Sequence, residues 1–237
     1  LWTDLTAALE VRGAGPVTTL SPPGFGAPVP EGFSATQDAY RDWLVDELEA
    51  LGSPVDLVGH DWGAGHVYGV VASRPDLIRT WAADCVGLVH PDYVWHDAAQ
   101  IWQTPEAGEE MVAGMLGGDP ADRAAGLVAL GVREEVAAQM AAGHDEAMGA
   151  CILTLYRSAV QPAMRELGER LVAAERRPGL VINATEDHYT GTQEMLAEMA
   201  GRLDADVFRL DGLGHWWMFA GAEAAADALI AHWSSAD

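Results

Sequence analysis

The residues with the clearest capacity for chemistry lie in Val58-Gly59-His60-Asp61-Trp62-Gly63-Ala64-Gly65. Asp61 has a glycine two positions before it and another two positions after. The preceding Val55-Asp56-Leu57-Val58 is short, largely apolar and β-branched, which predicts a buried strand. The run 64–73 is helix-compatible and stops at Arg74-Pro75. A strand that turns into a helix at Asp61 forces that residue into a strained backbone conformation. Glycines on both sides remove the clashes that would otherwise forbid the turn. A side chain held at such an apex is presented as a nucleophile. A carboxylate in that role attacks a saturated carbon and forms an ester that water must then cleave. The competing reading is a turn whose Asp61 merely caps the following helix.

An ester on Asp61 needs a base to activate water and a group to orient that base. His215 ends Asp211-Gly212-Leu213-Gly214-His215, directly after a predicted strand at 205–210, and its two glycines let the loop bend toward the strand ends. His60 and His66 belong to the elbow region, and His90, His96 and His144 to a helical stretch. His188 neighbours an acidic loop and His232 sits in the last helix. None of them has the Gly-flanked, strand-end setting of His215. Two carboxylates can orient the base. Asp187 ends the loop Asn183-Ala184-Thr185-Glu186-Asp187 after a predicted strand at 180–184, and Asp84 lies in or at the end of a predicted strand at 80–88. The order nucleophile, acid, histidine holds for either. Asp187 is preferred, because Asp84 inside a strand can equally be a structural carboxylate.

The elements that must position these groups alternate. A helix at 2–9 is followed by a predicted strand at 16–20 and a Pro/Gly-rich loop at 21–32. Ser34-Ala35-Thr36-Gln37 has capping-box spacing and opens a helix that Gly52 closes. After the elbow and the strand at 80–88, residues 89–178 are helical and Ala-rich. Strand (180–184), helix (192–203), strand (205–210) and helix (220–233) then complete the chain. Alternation of this kind predicts an α/β fold: a doubly wound, mostly parallel sheet covered on both faces. The core is 1–88 with 179–237, and 89–178 forms a helical lid. Its place after the strand that follows the elbow puts it over the carboxyl ends of the strands, where such sheets bind ligands.

Composition narrows the classes. The 237 residues carry a net charge of −23, and all 13 basic residues are Arg. So acidic a surface argues against nucleic acid and anionic membranes as partners. No apolar run approaches the ~20 residues of a spanning helix. The two cysteines, Cys85 and Cys151, make no disulfide framework and read as buried thiols of a cytoplasmic protein. No His/Asp/Cys spacing resembles a metal site, and no cofactor is expected. The expected partners are a small apolar electrophile and water, with self-association into a homodimer left open.

With Pro23-Gly24-Phe25-Gly26, Gly59-His60-Asp61-Trp62-Gly63, Ala184-Thr185-Glu186-Asp187 and Gly214-His215-Trp216 in place, the chain resembles the α/β-hydrolase superfamily. The branch it resembles has an Asp nucleophile: epoxide hydrolases, haloalkane dehalogenases and fluoroacetate dehalogenases. The resemblance implies Asp61 as nucleophile, His215 as base, Asp187 as its partner, and the Trp62 backbone N–H as half of an oxyanion hole. The other half comes, in that family, from a strand ending in His-Gly-x-Pro, normally placed between those matching 16–20 and 55–58. No such segment is present, and the slot it would leave in mid-sheet leads us to expect a short segment before Leu1.

The resemblance also points to leaving-group donors. Epoxide opening leaves an alkoxide, for which Tyr156 matches a lid tyrosine and Tyr93 is a weaker second. A halide needs two N–H donors, for which Trp62 and either Trp102 or Trp95 are available. The fluoroacetate branch ranks last, because Trp62 stands where it usually has Arg. The expected activity is epoxide hydrolysis to a diol, with haloalkane dehalogenation as the alternative. A third reading, of another class, is a catalytically silent ligand-binding module on the same fold.

Overall fold

The computed structural model of the chain describes residues 1–236. The first helix, α1 (Thr3–Val11), is followed by an irregular segment and then by α2 (Gln37–Leu51). Strand β1 (Val55–Gly59) feeds the elbow and α3 (Trp62–Ser73); β2 (Ile78–Ala83) follows. Six helices come next: α4 (Asp97–Gln103), α5 (Ala107–Leu116), α6 (Pro120–Ala129), α7 (Glu134–Gly143), α8 (Glu146–Ser158) and α9 (Ala163–Ala173). The chain then returns through β3 (Gly179–Ala184), α10 (Gln193–Leu203), β4 (Asp206–Leu210) and α11 (Ala222–Ser235). The strands form one parallel sheet in the order β1-β2-β3-β4.

Period-2 alternation divides the sheet's side chains between two cores. Trp81, Ala83 and Val181 pack with Leu44 and Leu48 of α2, Val67, Val70 and Val71 of α3, Met164 and Leu167 of α9, and Met199 of α10. Ala82, Leu180, Ile182 and Ala184 face the other way, onto Leu5 and Leu9 of α1 and Ala225 and Leu229 of α11. Both faces are therefore covered, as a parallel sheet requires. Although α9 ends the inserted helical block, it is part of the layer that covers the sheet. No helix among the described residues is long and apolar enough to cross a membrane.

Three elements differ from the sequence reading. Residues 16–20 form no strand; positions 16–19 are exposed and only Leu20 packs partly on the core. A strand exists through its ladder, and this segment has no ladder partner among the described residues. The N-cap of α2 is Thr36, whose hydroxyl accepts the Ala39 N–H (3.2 Å), and not Ser34. Ala35, at φ 52°, keeps Ser34 outside the helix. Finally, β2 stops at Ala83; Cys85 turns the chain at φ 56°, and a 3-10 turn, Val86–Val89, replaces the rest of the predicted strand.

At the elbow, Asp61 has φ 54° and ψ −124° and its side chain makes no capping bond to α3. The capping reading of Asp61 is thereby set aside. The two glycines are unequal. A Cβ on Gly59 would lie 2.7 Å from both the Gly63 carbonyl oxygen and Val67 Cγ2, whereas one on Gly63 would meet nothing. Only Gly59 is there for close approach. We expect Gly59→Ala to lower stability by about 1–3 kcal/mol, the usual cost of overpacking, and Gly63→Ala to change it by less than about 1 kcal/mol. Urea denaturation of the two variants checks the contrast.

Candidate active site

Each proposed participant comes from the carboxyl end of a strand. Asp61 follows β1, Asp84 follows β2, Asp187 lies three residues beyond β3, and His215 lies in the loop after β4. The loop after β3 is folded onto the loop after β4, because Glu186 N–H donates to the Leu213 carbonyl (2.9 Å) and Gly212 N–H to the Thr185 hydroxyl (2.9 Å). That docking brings His215 Nδ1 to 2.8 Å from Asp187 Oδ2. Asp187 Oδ1 accepts the Tyr189 N–H at 3.0 Å, so the acid is itself held in place. The other ring nitrogen, His215 Nε2, is 3.8 Å from Asp61 Oδ1. This is an ion-pair distance beyond hydrogen-bond range, and it leaves the Asp61 carboxylate free to move onto another atom.

Asp84, the second candidate for the acid, is committed elsewhere. Its Oδ2 lies 2.6 Å from His60 Nδ1 and accepts the Trp217 indole N–H (2.7 Å), while Oδ1 accepts the Asp61 backbone N–H (3.0 Å). Burial works to raise its pKa, but the charge and hydrogen bond of His60, with bonds from Cys85 and Trp217, hold it well below the usual carboxylate range.

Burial also works against charge on His215. Against it stand the hydrogen bond to Asp187 and the charges of Asp61, Asp187 and Asp84, and together they raise its pKa to about 9. The site thus rests with an imidazolium among carboxylates.

The roof of the site is aromatic. Tyr156 of α8 is buried and packs edge-on to Trp62 (5.2 Å between ring centres) and tilted against Trp102 (4.7 Å). Burial, then the charge of Asp61, push its hydroxyl pKa far up, and hydrogen bonding with the Trp62 side chain acts in the opposite sense. Tyr156 therefore keeps its proton, in the field of the Asp61 charge. The Trp102 indole N–H is buried without a hydrogen-bond partner. Trp62, at the first position of α3, has a backbone N–H for which a helix provides no internal acceptor.

Two weaker candidates drop out for a shared reason, since each is already bonded to backbone. The Trp95 indole donates to the Ala159 carbonyl (3.2 Å), and the Tyr93 hydroxyl to the Tyr189 carbonyl (2.7 Å).

Two residues not singled out from the sequence join the site. His96 packs against Tyr189 (5.2 Å), Trp102 (6.2 Å) and Tyr156 (6.4 Å). Its Nδ1 accepts the Ala99 N–H (3.3 Å) and caps α4, which leaves the proton of the neutral ring on Nε2. Burial lowers its pKa, with Asp61 and His215 pulling in opposite senses. Tyr189 stands edge-on to His215 at 5.5 Å. The signal for His96 was its place at a helix N-cap, one residue after Trp95, within a stretch read as lid.

Donor atoms of Cys85, Asp187 and His215 lie within 4.8 Å of one another, a grouping that sequence spacing does not reveal. Asp187 and His215 are bonded to each other, and burial with the charges of Asp84, Asp187 and Asp61 drives the Cys85 thiol pKa up. The thiol is thus a neutral neighbour of the dyad. Both cysteines are free and buried.

A family model described as the alpha/beta hydrolase family matches residues 1–228. No curated protein matches the chain significantly. Among solved structures, the haloalkane dehalogenase DbeA-M1 loop variant from Bradyrhizobium elkanii is similar at 20% identity over 99% of this chain and 86% of that one, with a TM-score of 0.73. A hydrolase from Pseudomonas aeruginosa PA01 is similar at 21% identity over 98% and 83%, with a TM-score of 0.70. An E-2-(acetamidomethylene)succinate hydrolase follows at 16% identity over 97% and 86%, with a TM-score of 0.68. At these identities the likeness is one of fold.

The raised His215 pKa carries a sign. A histidine lifted from 6.5 to about 9 in the folded state contributes stability that is fully present below pH 6.5 and lost as pH rises through about 9. The gap in urea midpoint between the wild type and His215→Gln should therefore shrink across that window. A gap independent of pH would contradict the assignment.

Proposed function

The chain belongs to the alpha/beta hydrolase family, and from that premise we propose that it opens apolar epoxides to diols through an ester on Asp61. The observation that carries this reading is the line Asp61, His215, Asp187, with contacts of 3.8 Å and 2.8 Å, under a buried, protonated Tyr156. In the first step an Asp61 oxygen attacks a ring carbon as the C–O bond breaks, and the Tyr156 hydroxyl gives its proton to the alkoxide. His96 Nε2–H is a second donor on the same side of the pocket. As the Asp61 charge is lost to the ester, the resting His215 imidazolium returns a proton to the Tyr156 phenolate. In the second step the neutral His215 Nε2 takes a proton from water, and the hydroxide adds to the ester carbonyl carbon of Asp61. The Trp62 backbone N–H steadies the resulting oxyanion. Collapse releases the diol and regenerates the carboxylate, and the proton gained from water leaves His215 as the imidazolium of the resting site.

The electrostatics order the two steps. While Asp61 is charged, His215 is held as an imidazolium and cannot act as a base. Alkylation removes that charge, and the burial that opposes protonation gains weight. His215 becomes a base only once there is an ester to cleave. The lid in this reading is α4 to α8, narrower than 89–178 because α9 packs on the sheet side against α3.

Haloalkane dehalogenation is the second reading. Two observations favour it: the Trp102 indole N–H without a hydrogen-bond partner, packed on the Tyr156 ring that also meets Trp62, and a haloalkane dehalogenase among the similar structures.

Incubating His215→Gln with a panel of apolar epoxides and haloalkanes tests both. An epoxide adduct adds the whole substrate mass to the Asp61 peptide, and a haloalkane adduct adds the alkyl group alone. We expect the first. Tyr156→Phe should cut epoxide turnover about 10²–10⁴-fold, while Trp102→Phe should leave it within about tenfold. The opposite pattern, with halide release, would establish the second reading. No adduct with any substrate would leave a silent binding module.

A further inference from the structure

We infer that Asp84 is a positioning residue of this site, a single buried carboxylate that holds the backbone of the nucleophile and the loop of the base in one fixed relation. The inference rests on the catalytic reading of Asp61 and His215. It starts from a gap: His215 and Asp61 have no hydrogen bond to each other, only the 3.8 Å approach, so the scaffold must set their separation. Asp61 sits at φ 54°, a conformation that persists only when its surroundings impose it. Its N–H lies just outside α3 and takes its acceptor from Asp84 Oδ1, at 3.0 Å.

The other oxygen faces the base. Trp217 lies two residues after His215, is 1% exposed, and donates its indole N–H to Asp84 Oδ2 at 2.7 Å. His60, the residue before the nucleophile, is pinned to the same oxygen through Nδ1 at 2.6 Å and packs its ring 4.6 Å from that of His215. The Asp84 main chain is tied in as well, because the Tyr68 hydroxyl of α3 donates to its carbonyl at 2.5 Å. One carboxylate, 4% exposed, thereby joins the end of β2, the elbow, α3 and the loop after β4. The groups that surround His215 are Asp61, Asp187, His60, Tyr189 and His96, with Asp84 and Cys85 behind them. Asp84 acts on His215 through the other elements and at a distance, because Asp187 holds its Nδ1.

Asp84→Asn keeps the shape and places an N–H₂ among the donors. We expect kcat to fall about 10–100-fold, as for a small misplacement of reacting groups, with KM changed by less than about threefold. The His215 pKa, followed by NMR titration of the imidazole, should move down. Exchange of the Trp217 indole proton and the Asp61 amide proton should speed up. Trp217→Phe, which removes one donor and keeps the ring bulk, should lower kcat about tenfold with KM unchanged; it decides the matter if Asp84→Asn does not fold.

A folded Asp84→Asn protein with unchanged kcat, His215 pKa and proton exchange would overturn the proposal, as would an unaffected Trp217→Phe. So would Asp187→Asn retaining turnover that Asp84→Asn loses entirely, since Asp84 would then be the acid partner. The titration and exchange need no substrate. Their changing in a protein that turns over none of the panel would mark a failure of the catalytic reading alone.

Discussion

The structure depends on one steric constraint: a half-buried strand must become a helix within two residues. The turn is tight enough that the Gly59 Cα faces the Gly63 carbonyl with no room for a methyl group between them. The left-handed backbone at Asp61 follows from that closeness, and so does the half-exposed position of its carboxylate at the ends of the strands. Much of what surrounds the turn holds it in place. Tyr68 and Val67 of α3 lock the helix against the sheet, Asp84 takes the exposed N–H, and the loop carrying His215 is bonded to the same carboxylate.

Charge is organised around this turn as tightly as volume. Asp61, Asp84 and Asp187 converge on one imidazole, in a region where burial disfavours charge of either sign. Such a cluster is tolerable because its members are matched: Asp187 with His215, and Asp84 with His60 and an indole. Asp61 has neither of its oxygens hydrogen-bonded to His215, which meets it only at an ion-pair distance of 3.8 Å, and in the proposed reading that leaves its carboxylate able to attack.

The parts of this arrangement that could be read in the sequence are those written locally. The Gly59-His60-Asp61 turn, the loops at Asp187 and His215, the αL glycine that closes α2 at Gly52, and the two-faced alternation of the sheet all depend on residues close together in the chain. What was missed depends on partners far away. Residues 16–20 have the composition of a strand but have no strand partner among the described residues. β2 ends early because Asp84, which could have continued it, is drawn into bonds with residues 23 and more than a hundred positions away. His96 carries only a local signal, its N-cap place beside Trp95; what brings it to the site is the packing of α4 on α8, which joins residues far apart in the chain. The choice between Asp84 and Asp187 was likewise open in one dimension, where both satisfy the same order. The strand setting of Asp84 favoured Asp187 without deciding the matter; in the structure His215 Nδ1 is held by Asp187, while Asp84 is bonded to His60, Trp217 and the Asp61 amide.

The early end of β2 has one further consequence. The chain leaves the sheet at Cys85, builds α4 to α8, and rejoins the sheet-covering layer through α9. The roof is therefore an insertion, joined at both ends to the sheet and the helices that cover it. Mutations within it can remodel what fits beneath without disturbing the turn or the carboxylates below. In the proposed reading, changes confined to the roof alter which molecule enters, while the groups at the strand ends that would cleave the ester stay as they are.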